Sequence, residues 1–153
     1  MPEPMDVEQV LDGLNKAICL QAQSMVRMSL LAGSLRGMGA VAAKDRMREF
    51  VLAEVEDLVR LTQKASALGG APVADVGRIA VDPDPATSLP ELLQAEQEAI
   101  AALHAVIPVT GQESRSEALE HLLEHIIKRK QEQVDFLWHA SDLTRPLEPV
   151  DSD

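Results

Sequence analysis

The sequence predicts an all-α protein, a four-helix bundle with one long crossover between its second and third helices. Three observations carry that expectation. Ala, Leu, Glu, Gln, Met and Arg dominate, aromatics are only 2% and Tyr is absent, a composition that favours helix. Four segments repeat apolar residues at three- and four-residue steps. Between the second and third of them lies a proline-bearing stretch with no period. With 153 residues, 46% of them apolar, the chain is long enough for one domain with a sizeable core.

The division expected is a tail at 1–5, the bundle at 6–140 and a flexible acidic tail at 141–153. Asp6 is placed to cap the first helix, with Gln9 at the capping-box position. That helix runs to about Arg36 and stops near Gly37 and Gly39. Val10, Leu14, Ala17, Met25, Met28 and Ala32 form its stripe. The second helix runs from about Ala43 to Ala67 and ends at Gly69-Gly70, with Pro72 beyond. Met47, Phe50, Leu58, Leu61 and Leu68 form its stripe. The stretch 71–88 is long for a connection, so it should span a distance, as a crossover along a bundle would.

Ser88 reads as the cap of the third helix, with Glu91 at the box position and Pro108 and Gly111 at the end. Leu89, Leu92, Leu93, Ile100, Leu103 and Ile107 form its stripe. The fourth helix begins near Ser114 or Ser116 and reaches about His139, with Leu119, Leu122, Leu123, Ile126 and Leu137 inward. Pro146 and Pro149 in the last residues oppose a further helix.

Each stripe is interrupted near its middle by polar residues. These are Gln21 in the first, Glu54 and Asp57 in the second, Glu96 in the third, and Lys130 and Gln133 in the fourth. If the stripes pack together, the six meet at one level of the core. Carboxylates aimed at a core need a partner, because an unpaired buried charge is costly. A salt bridge to a neighbouring helix would satisfy them, and so would a metal ion.

The one-two-one-two layout of polar positions has the form of a di-iron carboxylate bundle, in which two helices give one Glu each and two give Glu-x-x-His. Here the chain resembles the ferritin-like superfamily, and bacterioferritin in particular, over roughly residues 8–140. Leu14-Asn15-Lys16-Ala17, Leu35-Arg36-Gly37-Met38-Gly39, Leu68-Gly69-Gly70-Ala71-Pro72, Glu96-Gln97-Glu98-Ala99-Ile100 and Val134-Asp135-Phe136-Leu137 carry the likeness by order and spacing.

The resemblance implies metal ligands at six positions, and only Glu54 and Glu96 match. Gln21 stands where Glu is implied, Asp57 for His, Lys130 for Glu and Gln133 for His. Val55 stands where bacterioferritin carries its haem-ligating Met, so haem is not expected. An ammonium at position 130 would repel Fe²⁺ and pair with Glu54, Glu96 or Asp57. The expectation is a degenerate di-iron site, a lost ferroxidase activity, and a structural or interaction role, with no catalytic residue named. The alternative is iron or another divalent metal held or stored on Glu54, Asp57, Glu96 and Gln21, with Lys130 swung away.

A net charge of −11 argues against nucleic acid and anionic membranes as partners. No apolar run would span a bilayer, the start of the chain is acidic rather than signal-like, and Cys19 is the only cysteine, so the expected location is cytoplasmic. Val51, Val55 and Val59 make a second apolar strip away from the core face. Given the resemblance, that strip implies a homodimer through the first two helices, and a further protein partner of unspecified kind is left open. A cage of 24 subunits is not expected, because Leu143-Thr144-Arg145-Pro146-Leu147 looks unable to form the short fifth helix of bacterioferritin shells. His121-Leu122-Leu123-Glu124-His125 has zinc-ligand spacing, but its helical phase places both histidines outside the core.

Overall fold

The computed structural model describes residues 3–37 and 40–140. The expectations for Met38 and Gly39, for the acidic tail at 141–153 and for the missing fifth helix lie outside the described residues. Among the described residues there are four long helices: α1 Val7–Ser34, α2 Val41–Ala67, α3 Pro85–Val106 and α4 Ser114–Ala140, with a 3₁₀ turn at Ile107–Val109. This is the all-α four-helix bundle anticipated, with its long connection between α2 and α3.

The helix ends follow from local chemistry. Asp6 caps α1 by accepting from Gln9 N–H. α2 closes in a Schellman motif, in which Gly70 N–H donates to Ala65 O and Gly69 N–H to Ser66 O. Gly69 stands at φ 90°, where a side chain would be strained. α3 starts earlier than Ser88. Asp84 is its cap, accepting from Ala86 N–H at 3.0 Å, and Pro85 follows in the first turn. Ser88 lies inside the helix and turns its hydroxyl back onto Asp84 O. Two overlapping cap signals stand four residues apart, and the proline selects the earlier one.

The connection from Leu68 to Asp84 runs outside α1. Cys19 Sγ donates to Val73 O, Gln23 Nε2 donates to Asp75 O at 3.0 Å, and Arg36 N–H donates to Pro83 O at 2.8 Å. Those contacts climb from the middle of α1 to its end, so the crossover spans the bundle's length and sets α3 parallel to α2. At the other end residues 3–5 are fastened to the α3–α4 corner. Gln112 N–H donates to Glu3 O, and Met5 N–H donates to Glu113 Oε2. Gly111, at φ 72°, lies there because a Cβ would stand 2.6 Å from Pro4 O.

The core falls into two apolar layers. One holds Val10, Leu14, Ile18, Leu61, Leu103, Leu119, Leu123 and Ile126. The other holds Met28, Leu31, Met47, Leu92, Leu93, Val134 and Leu137. Each fully buried Leu contributes roughly 1.5–3 kcal/mol by leaving water. The inward face of α1 differs from the expected stripe in its second half. Ser24 and Leu31 are buried where Met25 and Ala32 were expected, and those two are only partly covered. Val51 likewise packs against the second layer, while Leu52 joins Val55 and Val59 on the outside.

Candidate functional site

Between the two apolar layers lies a polar one, with residues from all four helices. Gln21 and Ser24 come from α1, Glu54 and Asp57 from α2, Glu96 from α3, and Lys130 and Gln133 from α4. All seven are buried. Helical phase explains the convergence, since each residue continues the face that carries Leu14, Leu61, Leu92 or Leu123 elsewhere along its helix.

Lys130 is the centre. Its side chain is 0% exposed, as are those of Glu54 and Glu96. Nζ donates to Glu54 Oε1 at 2.9 Å and to Glu96 Oε2 at 2.9 Å. Glu54 Oε1 also accepts from Gln133 Nε2 at 2.9 Å and from Ser24 Oγ at 3.4 Å. Ser24 Oγ lies in hydrogen-bond contact with Glu96 Oε1 as well. Gln21 Nε2 donates to the backbone carbonyl of Glu54 at 3.3 Å.

Asp57 belongs to a second pair beside the first. Arg129 Nε donates to Asp57 Oδ2, and the same guanidinium donates to Gln133 Oε1. Gln133 therefore joins the two pairs, receiving from Arg129 and giving to Glu54. The sequence reading missed Ser24 and Arg129. Arg129 is 17% exposed, on the stripe's edge, and reaches inward along its long stem. A buried acid at position 57 was the signal that a second cation was needed.

The charges nearly cancel. Glu54, Asp57 and Glu96 face Lys130 and Arg129, three against two, so one negative charge is left over when every group is ionised. Burial, opposed by the Lys130 ammonium and helped by the neighbouring Glu96, pushes the Glu54 carboxyl up to about 7. Glu54 Oε1 takes three donors, while buried Oε2 has no partner. A proton on Oε2 would make the cluster neutral. Burial pulls the Lys130 ammonium down, but Glu96 and Glu54 together outweigh it, so its pKa lies above the ordinary lysine value. It is therefore charged at neutral pH. Gln21 Oε1 and one Arg129 nitrogen are also buried without a partner. Among the described residues, no three His, Cys, Asp or Glu side chains converge as a metal-holding group.

A long-crossover bundle with a polar layer in mid-core defines the class of helical carboxylate bundles. The chain belongs to the ferritin-like domain family, whose model matches residues 11–145. Solved structures share the fold at low identity. A dodecameric thioferritin, the bacterioferritin-related protein of Bacteroides fragilis, superposes with a TM-score of 0.80 at 17% identity, over 89% of this chain and 86% of that one. A ferritin-like diiron-carboxylate protein of Bacillus anthracis gives 0.77 at 21%, over 86% and 94%. A DPS protein of Vibrio cholerae gives 0.74 at 13%, over 87% and 91%. No curated protein matches the chain.

Proposed function

We propose that this chain is a ferritin-like subunit in which an internal ion-pair network stands in place of a di-iron centre, so that it lacks ferroxidase activity and serves a structural or interaction role. The supporting observation is Lys130, fully buried and 2.9 Å from both Glu54 and Glu96. Those are the two carboxylates that match the family pattern. A charged ammonium between them takes the lone pairs an Fe²⁺ ion would need and repels the ion. Asp57 is engaged by Arg129, and the two amides at 21 and 133 are weak ligands beside the carboxylate and imidazole they replace. The residues present do not fit a pair of iron ions.

A second reading keeps one divalent ion, iron or another, on Glu54, Asp57, Glu96 and Gln21 as a binding or storage site. The unpartnered oxygens Glu54 Oε2 and Gln21 Oε1 favour it. It requires Lys130 to leave two ion pairs with no solvent at hand. The experiment is Fe²⁺ titration of metal-free protein, following binding and oxygen-dependent absorbance together. The network reading expects neither saturable binding nor accelerated oxidation. Saturable binding that disappears in Glu54→Gln and Glu96→Gln would overturn it in favour of the single-ion reading.

Assembly is part of the proposal. Leu52 is 68% exposed, Val59 47% and Val55 40%, at spacings that align them along the outer face of α2. Apolar side chains in such a row are suited to a second copy, giving a homodimer through α1 and α2. The Bacteroides relative is described as dodecameric, which lends oligomerisation weight. Light scattering at the mass of a monomer would overturn the dimer, and a shell-sized particle would replace it. No helix among the described residues is long and apolar enough to cross a membrane. A cytoplasmic location remains part of the proposal.

A further inference from the structure

The outer face of α4 carries a chemistry that the buried network does not use. The core face of this helix is Leu119, Leu123, Ile126 and Lys130. His121 and His125 stand two residues beyond Leu119 and Leu123, on the opposite side, and both are exposed. We propose that His121 and His125 form a two-imidazole chelate for a borderline divalent cation of the Zn²⁺ type, on the surface and separate from the bundle's interior.

Spacing supplies the first argument. Residues four apart on a helix have Cβ atoms about 5–6 Å from each other and stack one above the next. Two imidazoles so placed can turn their nitrogens onto one ion at the roughly 2.0–2.1 Å that zinc–nitrogen bonds need. The helix is already formed, so the second imidazole meets the ion with no further cost in backbone ordering, only the loss of its own rotamer freedom.

The surroundings supply the second. Glu117 continues the same file one turn earlier, and its Oε1 lies 4.0 Å from His121 Nε2. A carboxylate beside this imidazole can accept from one ring nitrogen and so orient the other towards the ion. Glu124, between the histidines in sequence, is exposed on the neighbouring edge. Arg129, the next residue of the same file, is turned inward to Asp57 and Gln133, and Lys128 stands exposed one turn beyond His125. The chain's net charge of −11 raises the local concentration of any divalent cation.

The donor set selects the ion. Imidazole nitrogens suit Zn²⁺, Cu²⁺ and Ni²⁺, whereas Mg²⁺ and Ca²⁺ want oxygen. Two protein donors leave coordination positions for water or for a side chain of a second copy. No residue of this site belongs to the interior network, so its success or failure is independent of what happens at Lys130.

The test is calorimetric titration of the metal-free full chain with Zn²⁺ at neutral pH, with Mg²⁺ as the comparison ion. One saturable Zn²⁺ per chain is expected, with no response to Mg²⁺. His121→Gln and His125→Gln should each weaken binding by about tenfold or more, the loss of one strong ligand. Glu117→Gln should weaken it by only a few-fold. These are surface changes on a long helix, so thermal unfolding of the metal-free variants should match that of the parent. Added Zn²⁺ should raise the parent's unfolding temperature and leave that of His121→Gln/His125→Gln unmoved. Undiminished Zn²⁺ binding in that double variant would overturn the proposal, and so would the absence of saturable binding by the parent.

Discussion

The middle of this bundle and its two ends are equally dry, yet they are held together by opposite means. At the ends, Leu14, Leu92, Leu103 and Leu123 are buried to within 1% and contribute by leaving water, an effect without direction. In the middle, Lys130, Glu54 and Glu96 are just as buried, and each is tolerable only because the others are where they are. An apolar layer degrades in proportion to what is removed. An ionic layer does not, because deleting one member leaves its partner's charge stranded.

The sharpest way to test that difference is to remove Lys130. Lys130→Met keeps the volume and leaves Glu54 and Glu96 without their shared cation, at a cost of about 3–5 kcal/mol in denaturant unfolding at neutral pH. Adding Glu54→Leu and Glu96→Leu to it should recover most of that loss, since a buried ion pair replaced by apolar residues is often neutral or stabilising. If the triple variant is no more stable than Lys130→Met, the middle layer is held by packing and the comparison fails. Leu123→Ala is the control in an end layer. It should cost about 2–5 kcal/mol, with no second change in the same layer able to restore it except one that refills the space.

Arg129 is an intermediate case, with one edge in water. Arg129→Met leaves Asp57 and Gln133 Oε1 without a donor, and should destabilise by roughly 1–3 kcal/mol, less than at Lys130 because water can reach the orphaned groups. Asp57→Asn on the Arg129→Met background should then add little, because the two residues act as one pair. Full additivity of the two changes would show that they are not coupled.

The sequence displays the end layers and the middle layer with different clarity, for a physical reason. Apolar periodicity is a property of each helix alone, so Leu61, Leu92 and Leu123 declared their burial before any partner was known. Glu54, Asp57, Glu96 and Lys130 were legible as breaks in those stripes, and the family resemblance added that they should face one another. What periodicity cannot convey is pairing. Asp57 was one of three acids offered to Lys130, and the structure gives it to Arg129 instead, whose edge position hid it. Ser24 was hidden by phase. Over the 28 residues of α1 the inward face drifts by one position, placing Ser24 rather than Met25 inside.

The smallest expected effect concerns a single proton, and it distinguishes the two carboxylates bound to Lys130. Burial pushes Glu54 up to about 7, from 4.5 in the exposed chain. Between those values the folded protein holds a proton that the unfolded chain has lost. Stability from this group is therefore present below about pH 4.5 and is lost as pH rises through 7. Lys130, raised above 10.5, holds its contribution until the pH exceeds that value, so it does not mask the loss. Glu54→Gln mimics the protonated acid. It should be close to neutral at about pH 4.5, become relatively favourable as the pH rises to 7 and beyond, and flatten the parent's decline between those two values in denaturant titrations. Glu96→Gln lacks that relief and should destabilise at every pH tested, because Glu96 is then the carboxylate that balances the ammonium. If the two variants show the same pH profile, the proton does not reside on Glu54, and the spare negative charge of the layer is shared evenly between the two acids.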